Sequence, residues 1–279
     1  MTNIRKTIKN TFPPAVWKPI SDIRYAINRA AQWPAATFHP WRRDSIVRLK
    51  DMKDIHQGKR CFVIGNGPSL RKTDVSRLRN EYTFGMNRIY LAFDDWGFET
   101  SYLVSVNDLV IEQCVDDFLT LDMPRFFSWR SRRFFPRELM ANENAPIFLH
   151  TTYTGPKFSP DVSGRVWEGA TVTNVCLQLA FHMGFEQVIL IGVDHSFAAK
   201  GKPNMTVVSN GEDQSHFDPR YFGKGFRWQL PDLDTSEQGY WMARQAFETA
   251  GRSVVDATIE GHLTIFPKVV YESLFESKK

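Results

Sequence analysis

Three observations predict an α/β fold built on a mainly parallel sheet with helices on both faces. Short apolar runs alternate with amphipathic segments, the first run leads straight into a glycine-rich turn, and polar residues recur just past the ends of the runs. The first run is Cys61-Phe62-Val63-Ile64, followed by Gly65-Asn66-Gly67-Pro68-Ser69-Leu70 and by Asp74 to Leu78, which can form a helix. Further strands are expected at Tyr82 to Met86, Tyr102 to Val106, Arg125 to Ser128, Pro146 to His150, Gln187 to Ile191 and Ser253 to Val255. Helical patterns fall between them at 109–118, 171–183, 236–250 and 268–276.

Residues 198–234 break the alternation. The stretch from Ala198 to Asp234 is rich in Gly, Asp, Asn and aromatics with little periodicity, and a loop of that length is expected to be a lid or a disordered segment. Ahead of the sheet, residues 1–57 read as a basic N-terminal helical arm and linker, and 58–279 as the catalytic domain. Residues 1–50 hold ten Lys and Arg against Asp22 and Asp44, a net +8, so under an overall +4 the rest of the chain sums to −4. Ile20, Ile23, Ile27 and Ala30 recur at helical spacing with Trp17 and Trp33 at either end, which predicts an amphipathic helix. Packing on the domain is the first expectation for its apolar face, and peripheral contact of residues 1–45 with an anionic membrane is the second. Trp33 to Pro40 reads as a linker and Trp41 to Lys59 as a polar lead-in.

With 42% hydrophobic and 14% aromatic residues, the 279-residue chain can bury one large core. No stretch approaches the roughly 20 apolar residues needed to cross a bilayer. The opening Met-Thr-Asn-Ile-Arg-Lys has no apolar run behind its charges, so a cytoplasmic protein is expected, at most peripheral to the inner membrane. Cys61, Cys114 and Cys176 are odd in number and widely spaced in apolar surroundings, which suits reduced core residues better than disulfides or zinc. No recognised nucleic-acid-binding motif accompanies the basic arm, so nucleic acid is not an expected partner.

The loop Gly65 to Ser69 lacks the Gly-Lys-Ser/Thr ending of a Walker loop, and Leu70 stands where a dinucleotide fingerprint has its third glycine. Its two glycines still let backbone approach an anion, Asn66 and Ser69 offer hydrogen bonds, and a following helix can aim its N-terminus at a phosphate. Ligands of parallel sheets sit at the carboxyl ends of the strands, so Asn66, Asn87, Asn107, Asp108, Asp194 and His195 are expected to converge on one cleft. Asp194 can bind a ribose, orient His195 or coordinate magnesium. His216, within Asp213-Gln214-Ser215-His216-Phe217-Asp218, and His195 compete as general base, because histidine accepts a hydroxyl proton at working pH. Tyr221 with Arg220, Lys224 and Arg227 forms a basic aromatic group suited to stabilising a leaving phosphate. Asp232-Leu233-Asp234 matches the Asp-x-Asp string of metal-dependent glycosyltransferases and is discounted as a short string.

Val63 to Leu70, with Gly85-Met86-Asn87, Val106-Asn107-Asp108 and Ile191-Gly192-Val193-Asp194-His195-Ser196-Phe197, resembles one family. It is similar to the 6-hydroxymethylpterin diphosphokinase MptE-like proteins, which share a Rossmann-like core with bacterial CMP-sialic-acid sialyltransferases and motility accessory factor glycosyltransferases. The resemblance covers about residues 58–275. It implies that Gly65, Asn66, Gly67, Ser69, Asn87 and Asn107 hold the nucleotide of a donor, with Thr171 nearest to the family's Thr/Ser-Gly element. It implies a transferase with no tightly bound cofactor. A glycosyltransferase is favoured, taking a nucleotide-sugar donor such as a CMP-nonulosonic acid and a glycan or lipid-linked acceptor in bacterial surface glycan synthesis. The alternatives are an ATP-dependent pterin diphosphokinase, with magnesium on Asp108 and Asp194, and a nucleotide-binding scaffold without catalysis. The sialyltransferase base lies three residues beyond a Ser-His-aromatic triplet; here Ser215-His216-Phe217 is present but Pro219 occupies the place of the base, which turns attention to His216.

Overall fold

The computed structural model describes residues 23, 26, 27, 30–141, 144–197 and 201–276. Eight parallel strands form one sheet in the order β10-β7-β1-β2-β3-β4-β5-β6. They are β1 (Arg60–Ile64), β2 (Tyr82–Met86), β3 (Tyr102–Ser105), β4 (Arg125–Ser128), β5 (Ile147–Thr152), β6 (Arg165–Trp167), β7 (Gln187–Ile191) and β10 (Ser253–Asp256). Strand β1 is central, pairing Cys61 with Tyr82 on one side and Ile64 with Ile191 on the other. The period of two along a strand sends Cys61 and Val63 into one hydrophobic layer and Phe62 and Ile64 into the other. All four are fully buried, which is why this strand reads as a continuous apolar run rather than as an alternation.

The α-helices are α1 (Pro40–Asp51), the one-turn α2 (Phe93–Trp96), α3 (Asp108–Leu119), α4 (Val172–His182) and α5 (Leu233–Thr249). Helices α4 and α5 pack in the Cys61/Val63 layer and α3 in the Phe62/Ile64 layer, so both faces of the sheet are covered as expected. Each of α3, α4 and α5 starts just past a strand or loop on the carboxyl side of the sheet, with Asn107, Thr171 and Asp232 as side-chain N-caps.

Several expectations are corrected. The stretch taken as a linker is helical at residues 30–38, bends at His39 and continues as α1, because Pro40 occupies the first helical position, where its missing N–H costs nothing. Helix α1 is packed on the sheet. Arg42 Nη2 donates to Ser163 O at 2.6 Å, and Phe148 N of β5 donates to Ser45 Oγ at 3.0 Å. The division at residues 57 and 58 therefore does not mark the edge of the folded unit. Instead of a helix after the glycine loop, two 3-10 turns run over Pro68–Lys72 and Val75–Leu78. The expected helix over 268–276 is a single 3-10 turn, Glu272–Phe275, preceded by the β-branched Val269 and Val270 and by an extended bridge from Lys268 to Asp256.

Of the N-terminal arm, Trp17 and Ile20 lie outside the described residues. Residues 23, 26, 27 and 30 are helical, as predicted, and the helix runs on through the expected linker, but Ile23, Ile27 and Trp33 are exposed rather than packed on the domain. Among the described residues no helix is long and apolar enough to cross a membrane, and Cys61, Cys114 and Cys176 are buried free thiols.

Candidate functional site

A cavity of about 580 Å³ opens at the carboxyl ends of β1, β2, β3 and β7 and is bordered on its other side by residues from 196–197 and 204–232. The glycine loop forms its floor. Gly65 N donates to Ile191 O at 2.7 Å and Gly67 N to Gly192 O at 2.9 Å, so the ends of β1 and β7 are pressed together. A Cβ on Gly65 would stand 2.2 Å from Gly192 O, and one on Gly67 would stand 1.9 Å from Asp194 Oδ2. The glycines are thus required by the contact between two strand ends, independently of any ligand.

Asp194 is the reason for the second contact. Its carboxylate accepts from Ser69 N at 3.0 Å and from Ser69 Oγ at 2.6 Å, tying the loop to the end of β7. Ser69 is buried and does not line the cavity, which corrects its expected place on the donor. Asp108 is corrected as well: its oxygens accept from Ser131 Oγ at 2.5 Å and Arg133 Nη2 at 3.0 Å and form an ion pair with Arg130, whose Nε lies 3.1 Å away, outside the cavity lining. With both carboxylates so engaged, Asp108 and Asp194 do not fit as a magnesium pair. Among the described residues no cluster of three His, Cys, Asp or Glu has the form of a metal site.

The other predicted polar residues do meet. Asn66, Asn87, Asn107, Thr171, Asp194, His195, His216 and Tyr221 all border the cavity. Asn66 Nδ2 donates to Met86 O at 3.0 Å, leaving Oδ1 buried and, among the described residues, without a hydrogen-bond partner. A buried carbonyl oxygen in that state is an acceptor ready for a ligand donor. Asn87 has φ +49° and accepts from Ser105 Oγ at 2.9 Å. Asn107 caps α3 through Leu109 N (2.9 Å), and Thr171 caps α4 through Thr173 N (3.3 Å), so both serve the fold first. Ala170, His195 and Asn204 share the left-handed backbone of Asn87, and all four border the cavity, a concentration of strain typical of binding sites.

Each candidate base has a carboxylate partner. His216 Nδ1 lies 2.7 Å from Asp213 Oδ2, and His195 Nε2 lies 3.0 Å from Glu237 Oε1. The His216 pair is the better enclosed, since Asp213 is only 6% exposed whereas Glu237 is half exposed. Burial works to raise the Asp213 carboxyl, but the His216 hydrogen bond and the N–H groups of Ser215 and Phe222 hold it below the usual carboxylate range. The imidazole stacks on the Tyr221 ring with centroids 4.0 Å apart and planes at 11°. Tyr221 is itself buried, its phenol pushed up by burial and hydrogen-bonded to Asn87. It therefore positions the histidine, and its expected role on a leaving phosphate is not what its surroundings provide.

The segment that carries His216 is ordered. It contains the antiparallel pair β8 (Thr206–Val208) and β9 (Arg227–Gln229) and is pinned to the sheet by backbone. Phe217 N donates to Asn66 O at 2.8 Å, and Arg71 donates to the carbonyls of Phe217 (2.6 Å) and His216 (3.0 Å). Arg220 and Arg227 turn away to Asp218 and Glu112, and Lys224 is exposed, so this basic trio does not border the cavity. The charged Asp, Glu, Lys and Arg side chains that do so among the described residues are Glu168, Asp194 and Asp232, all acidic.

Residues missed in the sequence include Asp213, Glu168, Tyr153 and Tyr240. Asp213 was legible as a carboxylate three positions before His216, whereas Tyr153 and Glu168 follow β5 and the three-residue β6, too short to show a period.

Fold and site together define an α/β protein with a ligand cavity at the strand ends of a parallel sheet. The chain belongs to the 6-hydroxymethylpterin diphosphokinase MptE-like family, whose sequence model matches residues 42–200. That match covers β1 to β7 and leaves His216 and α5 beyond it. No curated protein matches the sequence. Among solved structures, the MAf glycosyltransferase from Magnetospirillum magneticum AMB-1 is similar at 12% identity and TM-score 0.44, over 94% of this chain; the chain spans 43% of that protein's length. The sialyltransferase CstII from Campylobacter jejuni, solved in complex with a substrate analogue, cytidine-5'-monophosphate, is similar at 14% identity and TM-score 0.42, over 76% of this chain and 85% of its own.

Proposed function

We propose that the protein is a glycosyltransferase that uses a nucleotide-activated sugar, with His216 as general base. The observation that carries the reading is the His216–Asp213 pair, held by the ordered lid against the same cavity as the glycine loop. Asp213 fixes Nδ1, which leaves Nε2 to take the proton of an acceptor hydroxyl. The acceptor oxygen then bonds to the anomeric carbon while the bond from that carbon to the phosphate oxygen breaks, its electron pair leaving with the nucleotide. Asp213 stabilises the imidazolium that forms. The N-terminus of α4, with Ala170 to Thr173 bordering the cavity, supplies N–H groups and a positive helix end for the phosphate.

An acidic lining suits a donor with one phosphate, such as a CMP-sugar, better than the triphosphate of ATP. The family's diphosphokinase description motivates the second reading. It would need magnesium, and the engagement of Asp108 and Asp194 by Ser69, Ser131 and arginines weighs against it. A lipid-linked acceptor would be served by the exposed Ile23, Ile27 and Trp33 of the basic arm. The test is release of CMP from CMP-sugars in the presence of glycan acceptors. His216→Ala should lower turnover by about 10²–10⁴-fold, the range for loss of a general base; unchanged turnover would remove His216 from the chemistry.

A further inference from the structure

Past the ends of β5 and the edge strand β6, the cavity has a second group of residues that the glycine loop does not account for. Backbone pairing places them side by side, because Glu168 N donates to Thr152 O at 3.0 Å and Trp167 Nε1 to Tyr153 O at 3.2 Å. Arg130 lies beneath both. Its guanidinium carbon stands 4.2 Å from the Tyr153 ring centroid, and its Nη1 pairs with Glu168 Oε1. The arginine is fixed from behind by Val106 O at 2.7 Å and Thr151 Oγ1 at 2.9 Å. Burial opposes its charge, and Glu168 and Asp108 more than offset that, so it stays cationic.

Two consequences follow for the cavity side. Tyr153 remains 57% exposed although Arg130 covers one face of its ring, so the other face is an open aromatic plate. Glu168 is 4% exposed yet borders the cavity, with Oε1 taken by Arg130 and Oε2 making no hydrogen bond among the described residues. A carboxylate accepts hydrogen bonds and donates none, and an aromatic face packs on apolar C–H surface. A pyranose has both: a C–H face and a rim of hydroxyl donors. Because Arg130 is shared between the carboxyl groups of Glu168 and Asp108, its charge is already engaged and the place disfavours a second anion.

We propose that Tyr153 and Glu168 form a sugar subsite for a neutral pyranose, with the ring stacked on Tyr153 and hydroxyls donated to Glu168. The inference rests on the glycosyltransferase reading and narrows it, since a sialic acid carboxylate does not belong beside the Glu168 carboxylate. The subsite lies four strand positions from the glycine loop, across the sheet order β1-β2-β3-β4-β5. It is therefore separate from the glycine loop, while the α4 N-terminus assigned to the phosphate begins at the Thr171 cap, just beyond Glu168.

The test is saturation-transfer NMR on the full chain, with methyl β-D-glucopyranoside and methyl β-D-galactopyranoside as neutral probes and sodium glucuronate as the acidic one. All are used on the order of 10 mM, as suits millimolar affinities. Expected are signals from the C–H protons of at least one neutral glycoside, a weaker signal from glucuronate, and loss of the neutral signal in both Tyr153→Ala and Glu168→Gln. Tyr153→Phe should retain it. Tyr153 is half exposed, so its variants keep the fold even if Glu168→Gln disturbs Arg130. No transfer to either neutral glycoside, equal transfer in Tyr153→Ala, or a stronger signal from glucuronate overturns the proposal. A CMP-induced rise in melting temperature, measured on the same samples, reports the nucleotide end separately: if it is absent while Tyr153-dependent glycoside binding persists, the donor reading fails and the sugar subsite stands.

Discussion

Replacing Gly67 by alanine should cost stability through a carboxylate rather than through backbone strain. The added Cβ would lie 1.9 Å from Asp194 Oδ2 and 2.4 Å from its Cγ, so the carboxylate must swing away. In doing so it gives up two hydrogen bonds from Ser69, at 3.0 and 2.6 Å. Hydrogen bonds to a charged group are worth about 1.5–3 kcal/mol each. Taking the low end for this partly exposed pair gives about 3 kcal/mol, and the crowding against Gly192 O at 2.9 Å adds about 1 kcal/mol. Gly67→Ala should therefore destabilise by about 4 kcal/mol and Asp194→Ala by about 3 kcal/mol. The double variant loses the same two hydrogen bonds only once, so it should cost about 4 kcal/mol rather than about 7, a coupling of about 3 kcal/mol. Guanidinium unfolding with unchanged m-values is the assay. Additivity of the two single variants to within about 0.5 kcal/mol would refute the argument that Gly67 exists to admit Asp194.

Three further outcomes follow from the geometry. Asp213→Asn should keep the fold but lower kcat by about 10²-fold or more, since the amide cannot stabilise an imidazolium as a carboxylate does; a KM effect with kcat intact would assign Asp213 to binding alone. His150 is pushed down from 6.5 to about 4, first by burial and then by Arg42 and Arg165. Its folded pKa lies below its unfolded one, so the unfolded chain binds the extra proton between those values, and stability falls as pH drops from about 6.5 to about 4. With screening discounted this amounts to about 2 kcal/mol, and His150→Gln should flatten that part of the curve in denaturation series across pH. Deleting residues 1–39 should reduce pelleting with anionic liposomes and leave neutral liposomes unaffected; identical pelleting by both forms would leave the exposed Ile23, Ile27 and Trp33 without a lipid role.

The sheet was legible because its central strands are buried on both faces, which writes runs such as Cys61 to Ile64 and Val188 to Ile191 into the sequence. The polar residues at the strand ends were legible for the same reason: once the runs are placed, Asn66, Asn87, Asn107 and His195 must emerge at one edge. Their hydrogen bonds were not. Ser69 and Asp194 satisfy each other across 125 residues of chain, and Asp108 is claimed by Arg130 and Arg133 from the turn after β4. Neither pairing has a local signature. The helical reading of the segment after the glycine loop failed because spacing alone does not separate two 3-10 turns from a short helix, and Pro40 read as a break when it opens α1. His216 was legible as a candidate base in an acidic loop, whereas its pairing with Asp213 and the hold of β8, β9 and Arg71 on that loop are tertiary and were not.

The most direct test of the central claim, a cavity at the strand ends built for a nucleotide with one phosphate, is the melting temperature with CMP and with ATP, each with magnesium and with a chelator. The account predicts that CMP raises it in both conditions. A concentration 100 times Kd would add about 2.7 kcal/mol, a shift of about 5–10 °C for a chain of this size. A rise confined to ATP with magnesium, with none from CMP, would contradict it.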